Sequence, residues 1–353
     1  MTYGAVLAMV GWFGCAGEKE GPTETGDTAA GETFTVLGDR ANLPAAAILS
    51  VWGSSSEDVF MVGSDDGAGP VVLHWDGATW SRLATGSTGD LWWVFGVSGL
   101  DTVWMSGEGG RLLTYSRSAG TFTEEVVAEP AFKMFGVWAS AADDVWVVGG
   151  DVNGNADGVV VHWDGAAWTT SWTADRNDQS PDTRRQVFKI WGSSPDDIFV
   201  CGTGALVAHY DGAAWESLQN MGYRANTYFT ASGTGPDDVY LVGGEGNAQV
   251  LHWDGAAWED LSPPPDQIVP IMNGVSASEA HGTAMCGQYG SIYWRTGTGW
   301  EADPRPRATS RDFHACWVDE QGAVWAVGGD LTTLTEGVVV YGGESVAPIS
   351  LSR

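Results

Sequence analysis

One seven-residue segment, His-Trp-Asp-Gly-Ala-Ala-Trp, occurs unchanged at 162–168 and 252–258, and it constrains the fold of this chain more than any other feature. Variants occur at 74–80 and 209–215, and weaker copies keep the closing aromatic residue. These closing residues recur at intervals of roughly 42 to 47 residues, a period typical of a four-stranded β-propeller blade. They are Trp80, Phe122, Trp168, Trp215, Trp258 and Trp300.

Each full copy places an Asp-Gly pair between two short apolar runs, such as 159–163 and 166–168. This pattern is typical of a tight β-hairpin in which both central residues adopt a positive φ. A second block, exemplified by 52–63, recurs upstream in each period and indicates a strand, a polar turn and a second β-branched strand,. One period therefore predicts four strands, named a to d in chain order.

The two ends of the repeat region complement each other. Residues 33–37 match the pattern of strand d but follow no strand c, whereas 338–341 match strand c and precede no clear strand d. Joining them would complete the last blade and remove the open sheet edges. The starts of strand a, near 48, 91, 132, 187, 228, 268 and 311, then give seven blades. We expect an all-β, seven-bladed β-propeller over 33–353, closed by the N-terminal strand at 33–37.

The N-terminal residues indicate export. Residues 1–14 are apolar, Cys15 follows directly, and the rest of 15–32 is polar with almost no bulky apolar side chain. The arrangement resembles a bacterial lipoprotein signal, which predicts a signal peptide over 1–14, lipidation of Cys15 and a flexible linker. A plain secretory signal is the alternative. The expected location is the outer membrane, on its periplasmic or its surface side.

Charge excludes some partners. The formal net charge is −29, with 16 lysines and arginines against 45 acidic residues. Such a charge opposes binding to nucleic acid or to an anionic membrane surface. The sequence also has no apolar span long enough for a transmembrane helix. We therefore expect contact with a membrane only through the N-terminal lipid, and a monomeric protein.

Candidate ligand-binding residues cluster near one predicted face. In a propeller the d–a and b–c loops share a face, and the a–b and c–d turns share the other. Arginine forks and aromatic rings on the first face suit a carbohydrate or an anionic partner. Alternatively, the arginines only reduce repulsion within an acidic protein. The predicted ligand-binding residues are Trp92, Trp93, Arg176, Arg184, Arg185, Tyr223, Arg224, Arg305, Arg307, Arg311 and His314.

Other polar residues favour structural roles. Paired acidic residues in the a–b turns are expected to hydrogen-bond the turn backbone, with cation binding as the alternative. Four histidines share one position in strand c, and such repetition is typical of a structural residue. The pairs are Glu57-Asp58, Asp143-Asp144, Asp196-Asp197 and Asp237-Asp238, and the histidines are His74, His162, His209 and His252.

One loop and the cysteines leave alternatives open. Asp151, Asn153, Asn155 and Asp157 place oxygen ligands at alternate positions, as calcium loops do, although a polar surface turn fits the same residues,. Calcium is therefore the one possible cofactor, and otherwise none is expected. Among the cysteines, Cys201, Cys286 and Cys316 are expected to be buried thiols; Cys286 and Cys316 could instead form a disulfide in an oxidising compartment.

The repeats resemble a known family. The Asp-Val-Trp-x-Val-Gly block followed by His-Trp-Asp-Gly-x-x-Trp is similar to tectonin-type repeats and, more loosely, to kelch repeats with their Gly-Gly pairs at 149–150, 243–244 and 328–329. The resemblance covers roughly 33–345. It implies a propeller fold and leans towards a lectin-like role, because tectonin-like proteins often bind glycans. Propeller motifs specify a fold more closely than a function.

These observations lead us to expect a non-catalytic cell-envelope protein that binds a glycan or an envelope protein on its d–a/b–c loop face. Two other functions are compatible with the sequence. One is a glycan hydrolase or lyase that uses Tyr223, Asp312 or His314 for proton transfer,. The other is a scaffold that binds only protein partners and no small ligand.

Overall fold

The computed structural model describes residues 33–151, 153, 156–174, 185–218, 227–297 and 299–351, and every structural statement below concerns these residues. Strand β1 (Thr35–Gly38) precedes six blades that are continuous in the chain and a seventh that supplies three strands. Each blade is a four-stranded antiparallel sheet. The innermost strands of neighbouring blades are in contact all the way round the ring.

The strands follow the chain blade by blade. Blade 1 contains β2 (Ile48–Ser55), β3 (Asp58–Asp65), β4 (Pro70–Trp75) and β5 (Trp80–Arg82); blade 2 contains β6 (Leu91–Gly96), β7 (Thr102–Gly107), β8 (Arg111–Ser116) and β9 (Thr121–Val126). Blade 3 contains β10 (Lys133–Ala141), β11 (Asp144–Gly150), β12 (Val159–Trp163) and β13 (Trp168–Thr173); blade 4 contains β14 (Val187–Ser194), β15 (Asp197–Gly202), β16 (Val207–Tyr210) and β17 (Trp215–Ser217).

The remaining strands complete the ring. Blade 5 contains β18 (Tyr228–Gly235), β19 (Asp238–Gly244), β20 (Ala248–Trp253) and β21 (Trp258–Asp260). Blade 6 contains β22 (Met272–Ser278), β23 (Gly282–Gly287), a 3-10 turn (Gln288–Gly290), β24 (Ser291–Thr296) and β25 (Gly299–Ala302). Blade 7 contains β26 (Asp312–Val318), β27 (Val324–Asp330) and β28 (Thr335–Tyr341). No helix among the described residues is long and apolar enough to cross a membrane.

The N-terminal strand closes the ring, which confirms the predicted seven-bladed fold. Strand β1 pairs antiparallel with β28, with Thr35 opposite Tyr341 and Val36 opposite Val340. It is the outermost strand of the sheet β1-β28-β27-β26. The first and last strands of the ring are thus held by backbone hydrogen bonds, and no sheet is left without its outer strand.

The Asp-Gly loops differ from the predicted hairpin. Trp75 pairs with Trp80, so four residues and not two form the connection. Only Gly77 of this loop has a positive φ, at 85°. Asp76 instead accepts hydrogen bonds from the backbone N–H groups of Ala78 and Thr79 at 2.9 and 2.7 Å. The prediction that both residues adopt a positive φ is therefore wrong, because the aspartate caps the loop through its side chain.

The hydrophobic core lies between adjacent blades. Central residues of the second strands are almost completely buried, and they pack against the innermost strand of the next blade. In one such layer, Trp138 and Val148 of blade 3 meet Ile190 and Ile198 of blade 4. Trp325 of blade 7 is fully buried. Burial of these large side chains between sheets is the main apolar stabilisation of the ring.

Every innermost strand contains a β-bulge near its start. In blade 2, for example, Leu91 pairs with Gly107 and Trp93 with Ser106, so Trp92 has no partner in the ladder. A bulge leaves one residue unpaired and turns its side chain away from the regular alternation of the strand. The unpaired residues occupy one equivalent position in the seven blades: Leu49, Trp92, Phe135, Phe188, Phe229, Asn273 and His314.

Candidate functional site

A cavity of about 400 Å³ lies where the starts of the innermost strands converge on the axis of the ring. This is the d–a/b–c loop face, and we call the cavity the axial pocket. Six of its nine lining residues are the bulged residues of blades 2 to 7. The complete lining is Trp92, Lys133, Phe135, Phe188, Lys189, Phe229, Asn273, His314 and Leu331.

Aromatic rings form a continuous wall on one side of the axial pocket. Trp92 meets Phe135 edge to face, with ring centroids 5.4 Å apart. Phe135 meets Phe188 in the same way at 5.1 Å, and Phe188 stacks near Phe229 at 6.1 Å. Edge-to-face pairs hold each other in position. The wall therefore offers a preformed apolar surface to a ligand.

The opposite side of the axial pocket is polar and locked by backbone contacts. The Nδ1 atom of His314 lies 2.5 Å from the carbonyl oxygen of Leu49. A carbonyl can only accept, so Nδ1 carries the hydrogen and Nε2 remains an acceptor. Asn273 donates its side-chain amide to the carbonyl of Phe313 at 2.7 Å. Burial, together with the nearby Lys189, lowers the pKa of His314 to about 3, so the ring is neutral at physiological pH.

Lys189 is a buried amine at the inner end of the axial pocket. Lys189 is only 3% exposed to solvent. The ammonium donates a hydrogen bond to the carbonyl of Phe135 at 2.7 Å and lies 4.1 Å from the centre of the Trp93 ring. Burial lowers the pKa of Lys189 to about 7. Trp93 and Lys189 each follow a bulge directly, so they occupy the layer beneath the aromatic wall.

The rim of the axial pocket holds a second lysine and a buried indole nitrogen. Lys133 forms an ion pair with Glu108 at 2.5 Å, and its ammonium lies 5.2 Å from the centre of the Trp92 ring. The Nε1 atom of Trp92 is buried and has no hydrogen-bond partner among the described residues. Such an indole N–H is a donor that an incoming ligand can use.

The lysines are unevenly distributed in this acidic chain. The sequence contains three lysines, Lys19, Lys133 and Lys189, and two of them line the axial pocket. No acidic residue belongs to the described lining. The pocket is therefore a local concentration of cationic and apolar groups in a protein with a net charge of −29.

The predicted arginines that the structure describes, Arg185, Arg305, Arg307 and Arg311, do not line the axial pocket. Arg305 is bound to Asp303 at 2.7 Å and to the carbonyl of Gly342, and it lies over the Phe34 ring. Arg311 forms an ion pair with Glu336. Arg305 therefore ties blade 6 to the closing blade, which is a structural contact.

The other predicted ligand-binding residues do not form a single cluster among the described residues. Arg307 is exposed and reaches the carbonyl of Tyr289 at 3.5 Å. Arg185 is 5% exposed, beside blade 4. Of the predicted set, Trp92 and His314 line the axial pocket, and Trp93 lies beneath it. Arg176, Arg184, Tyr223 and Arg224 lie outside the described residues.

The opposite face repeats a single contact in four blades. In blade 1 the Nε2 atom of His74 lies 2.8 Å from Asp58, and Ser54 donates to the same carboxylate at 2.5 Å. The His74 ring also stacks on Phe60. Equivalent His–Asp contacts are His162–Asp144, His209–Asp197 and His252–Asp238. The second acid of each pair thus joins strands a, b and c through side chains, which corrects the expectation that it binds the turn backbone.

The structure describes part of the candidate calcium loop and three of the four cysteines. Asp151 is buried and accepts a hydrogen bond from the backbone N–H of Asn153 at 2.9 Å. Asn155 lies outside the described residues, so calcium binding by this loop stays a prediction. Elsewhere, the described residues contain no cluster of three or more His, Cys, Asp or Glu side chains that could hold a metal ion. Cys201, Cys286 and Cys316 are buried free thiols.

Sequence reasoning missed seven of the nine lining residues: Lys133, Phe135, Phe188, Lys189, Phe229, Asn273 and Leu331. A usable signal was present in the alignment of the repeats. The bulged position, which is the second or third residue of strand a, is large or polar in every blade, although the regular alternation of a strand gives no reason for it to face the axis. The bulge supplies that reason and is visible only in the paired sheets.

The seven four-stranded sheets define a seven-bladed β-propeller. Its solved structural neighbours include a streptogramin B lyase, with 12% identity, a TM-score of 0.68 and coverage of 87% of this chain and 96% of the other. Another is the virginiamycin B lyase of Staphylococcus aureus, with 11% identity, a TM-score of 0.66 and coverage of 88% and 98%. At these identities the likeness shows the fold alone.

The WD40 propeller domain of Doa1 is also similar, with 7% identity, a TM-score of 0.63 and coverage of 88% of this chain and 97% of the other. By sequence, no family model and no curated protein matches this chain. The structural neighbours thus include both lyases and a WD40 domain, so the shared fold does not distinguish between functions. The residues of the axial pocket are the remaining basis for a functional proposal.

Proposed function

We propose that this protein is a non-catalytic binding protein of the cell envelope that holds its ligand on the d–a/b–c face, with one end of the ligand inside the axial pocket. The observation that carries the proposal is the ring of bulged residues around a preformed cavity of about 400 Å³. Small-ligand sites are typically concave, mostly apolar and equipped with a few polar groups. The proposed ligand is a glycan or an envelope protein.

A glycan fits several features of the pocket. Its apolar ring faces would pack on Trp92 and Phe229, and its hydroxyl groups would use Nε2 of His314 as an acceptor and the Trp92 N–H as a donor,. A protein partner would instead insert one side chain. The lipid anchor at Cys15 and the envelope location rest on the sequence alone, because 1–32 lie outside the described residues.

A glycan array probed with the chain from residue 16 onward, which keeps all seven sheets, tests this function. We expect retention of a defined set of glycans, abolished by Phe229→Ala in the aromatic wall. Tyr289→Ala is the matched control, because Tyr289 is an aromatic residue on the same face, 58% exposed and outside the pocket. Loss of retention in Arg307→Ala or Arg311→Ala, with Phe229→Ala unaffected, would move the site to the loop arginines.

An enzyme is the second candidate, and one observation favours it. The axial pocket holds His314 with Nε2 unprotonated and directed by the Leu49 carbonyl, an arrangement that a general base requires. The pKa of about 3 makes this ring a weak base. Asp312 instead accepts a hydrogen bond from the backbone N–H of Tyr289 at 2.8 Å. Turnover of streptogramin B or of an acidic polysaccharide, lost in His314→Gln, would establish a lyase or hydrolase.

A further inference from the structure

The buried amine of Lys189 has no counter-ion among the described residues. Its hydrogen bond goes to a neutral carbonyl, that of Phe135, and its other close partner is the Trp93 ring. An ammonium removed from water without an anion costs several kcal/mol by general estimates. A methionine or leucine would fill the same space without this cost. The position of the amine at the inner end of a pocket therefore points to a ligand that supplies the missing charge.

Two further observations point to the same kind of ligand. The indole N–H of Trp92 is buried and lacks an acceptor within the described part of the chain, so it is a second donor for an anionic oxygen. Lys133 lies at the rim, where it adds positive potential although Glu108 partly neutralises it. Both lysines of the described chain are thus placed where a protein with a net charge of −29 would otherwise repel an anion,.

The shape and lining of the axial pocket define the rest of the ligand. Three phenylalanines, Phe135, Phe188 and Phe229, form one wall. Edge-to-face and stacked rings of this kind pack best against a flat apolar body. One ammonium and one indole N–H match a monoanion with two planar oxygens. Because Lys133 is already paired with Glu108, Lys189 is the one cation of the described lining without a counter-ion, which is too little positive charge for a phosphate dianion,.

We infer that the axial pocket takes a small carboxylate with a flat apolar body, such as an aryl carboxylate. The carboxylate would lie against the ammonium of Lys189 and the indole N–H of Trp92, and the apolar body would pack on Phe135, Phe188 and Phe229. This inference rests on the proposed function, since it concerns the same pocket, and it adds a small carboxylate to the glycan or protein ligand proposed above. It assigns the preference for a carboxylate to one buried lysine.

Charge linkage gives the inference a pH signature. The titratable groups around the Lys189 amine are Cys201 on the paired strand, His314 across the axis and Lys133 at the rim. Burial raises the pKa of Cys201 to about 12 and lowers that of His314 to about 3, so both are neutral at pH 8. With its pKa near 7, Lys189 is mostly uncharged at pH 8. A carboxylate that binds there draws a proton onto the amine.

Calorimetric titration with 2-naphthoate and with 2-naphthamide, its neutral analogue, tests the inference. We expect the wild-type chain from residue 16 onward to bind the carboxylate at least about tenfold more tightly than the amide at pH 7, equivalent to about 1.4 kcal/mol. Lys189→Met should remove this preference while amide binding persists. Arg307→Met is the matched control, since it deletes an exposed cation of the same face, and it should retain the preference.

A second measurement needs only the wild-type protein. Titration of 2-naphthoate at pH 8 in buffers of different ionisation enthalpy reports the protons taken up on binding, and we expect an uptake approaching one proton per ligand. Equal affinity for carboxylate and amide, or no proton uptake, would overturn the inference while leaving the binding function in place. Failure of both compounds to bind would also overturn it. A blank glycan array is a separate result, which would exclude a glycan and leave an envelope protein as the ligand of the proposed function.

Discussion

The two faces of the ring use equivalent positions of the repeat in different ways. On the a–b/c–d face, four blades repeat one contact, in which a serine or threonine and a histidine bind the same aspartate. On the d–a/b–c face, the bulged position carries leucine, tryptophan, phenylalanine, asparagine and histidine in different blades. A contact that ties together the strands of a single sheet can be repeated from blade to blade. Side chains that meet at one shared axis have no such requirement and can differ, so variation at a repeated position marks the candidate site.

Phenylalanine truncation should show the largest difference between the two regions. Phe199 is 1% exposed and stacks on His209 with centroids 4.3 Å apart. We expect Phe199→Ala to lower the free energy of unfolding by about 3–5 kcal/mol. Phe229 borders the open pocket, so Phe229→Ala should cost about 1 kcal/mol. Urea unfolding followed by circular dichroism compares the variants, and equal losses would show that the pocket wall belongs to the core.

Replacement of Lys189 should change how stability depends on pH. The pKa of Lys189 is about 7 in the folded protein, compared with 10.5 for an unburied lysine. Between these values the unfolded chain binds the extra proton, so the wild type gains stability as pH rises. Below pH 7 the amine is charged in both states and the penalty stays constant. Relative to Lys189→Met, the wild type should gain about 4 kcal/mol between pH 7 and 10.5.

Urea unfolding at pH 7, 8.5 and 10 measures this difference. Lys133→Met is the control, because Lys133 is partly exposed and already paired with Glu108. The free energy of unfolding of Lys133→Met, relative to that of the wild type, should stay nearly constant over the same pH range. Parallel pH profiles for the wild type and Lys189→Met would mean that the amine remains charged in the folded protein.

The smallest expected effect concerns the repeated contact in blade 1. Burial by itself would raise the pKa of Asp58, but His74, Ser54 and Arg117 of blade 2 lower it to about 2. The stability gained from this carboxylate is present above pH 3.8 and is lost as pH falls towards 2. Arg117→Met should therefore cost about 1 kcal/mol at pH 5, and the cost should shrink near pH 2.

Acid-dependent unfolding of Arg117→Met, with the exposed Arg40→Met as control, tests this prediction. Arg40 lies outside the repeated contact and should leave the profile unchanged. A cost that persists undiminished at pH 2 would assign the role of Arg117 to its cation–π contacts with Trp52 and Phe60 instead.

The repeat predicted the fold because each blade builds its sheet from neighbouring residues. The closing strand could be predicted as well, since an unpaired strand d at 33–37 and an unpaired strand c at 338–341 need each other. Trp92 and His314 were found because they lie near the starts of strand a. Arg311 does not line the axial pocket; its ion-pair partner Glu336 lies at the start of β28 in the same blade, and no spacing in the sequence shows that pairing.

The sequence by itself determined the number of blades, the order of their strands and the closure of the ring, because these follow from local periodicity and turn residues. Only the tertiary structure decided which side chains face the axis. Seven bulges shift the strand register by one residue, and residues from separate blades, such as Phe135 and Lys189, converge on one cavity. Neither the register shift nor the convergence is encoded in any single repeat, since both arise when the sheets pair and the ring closes.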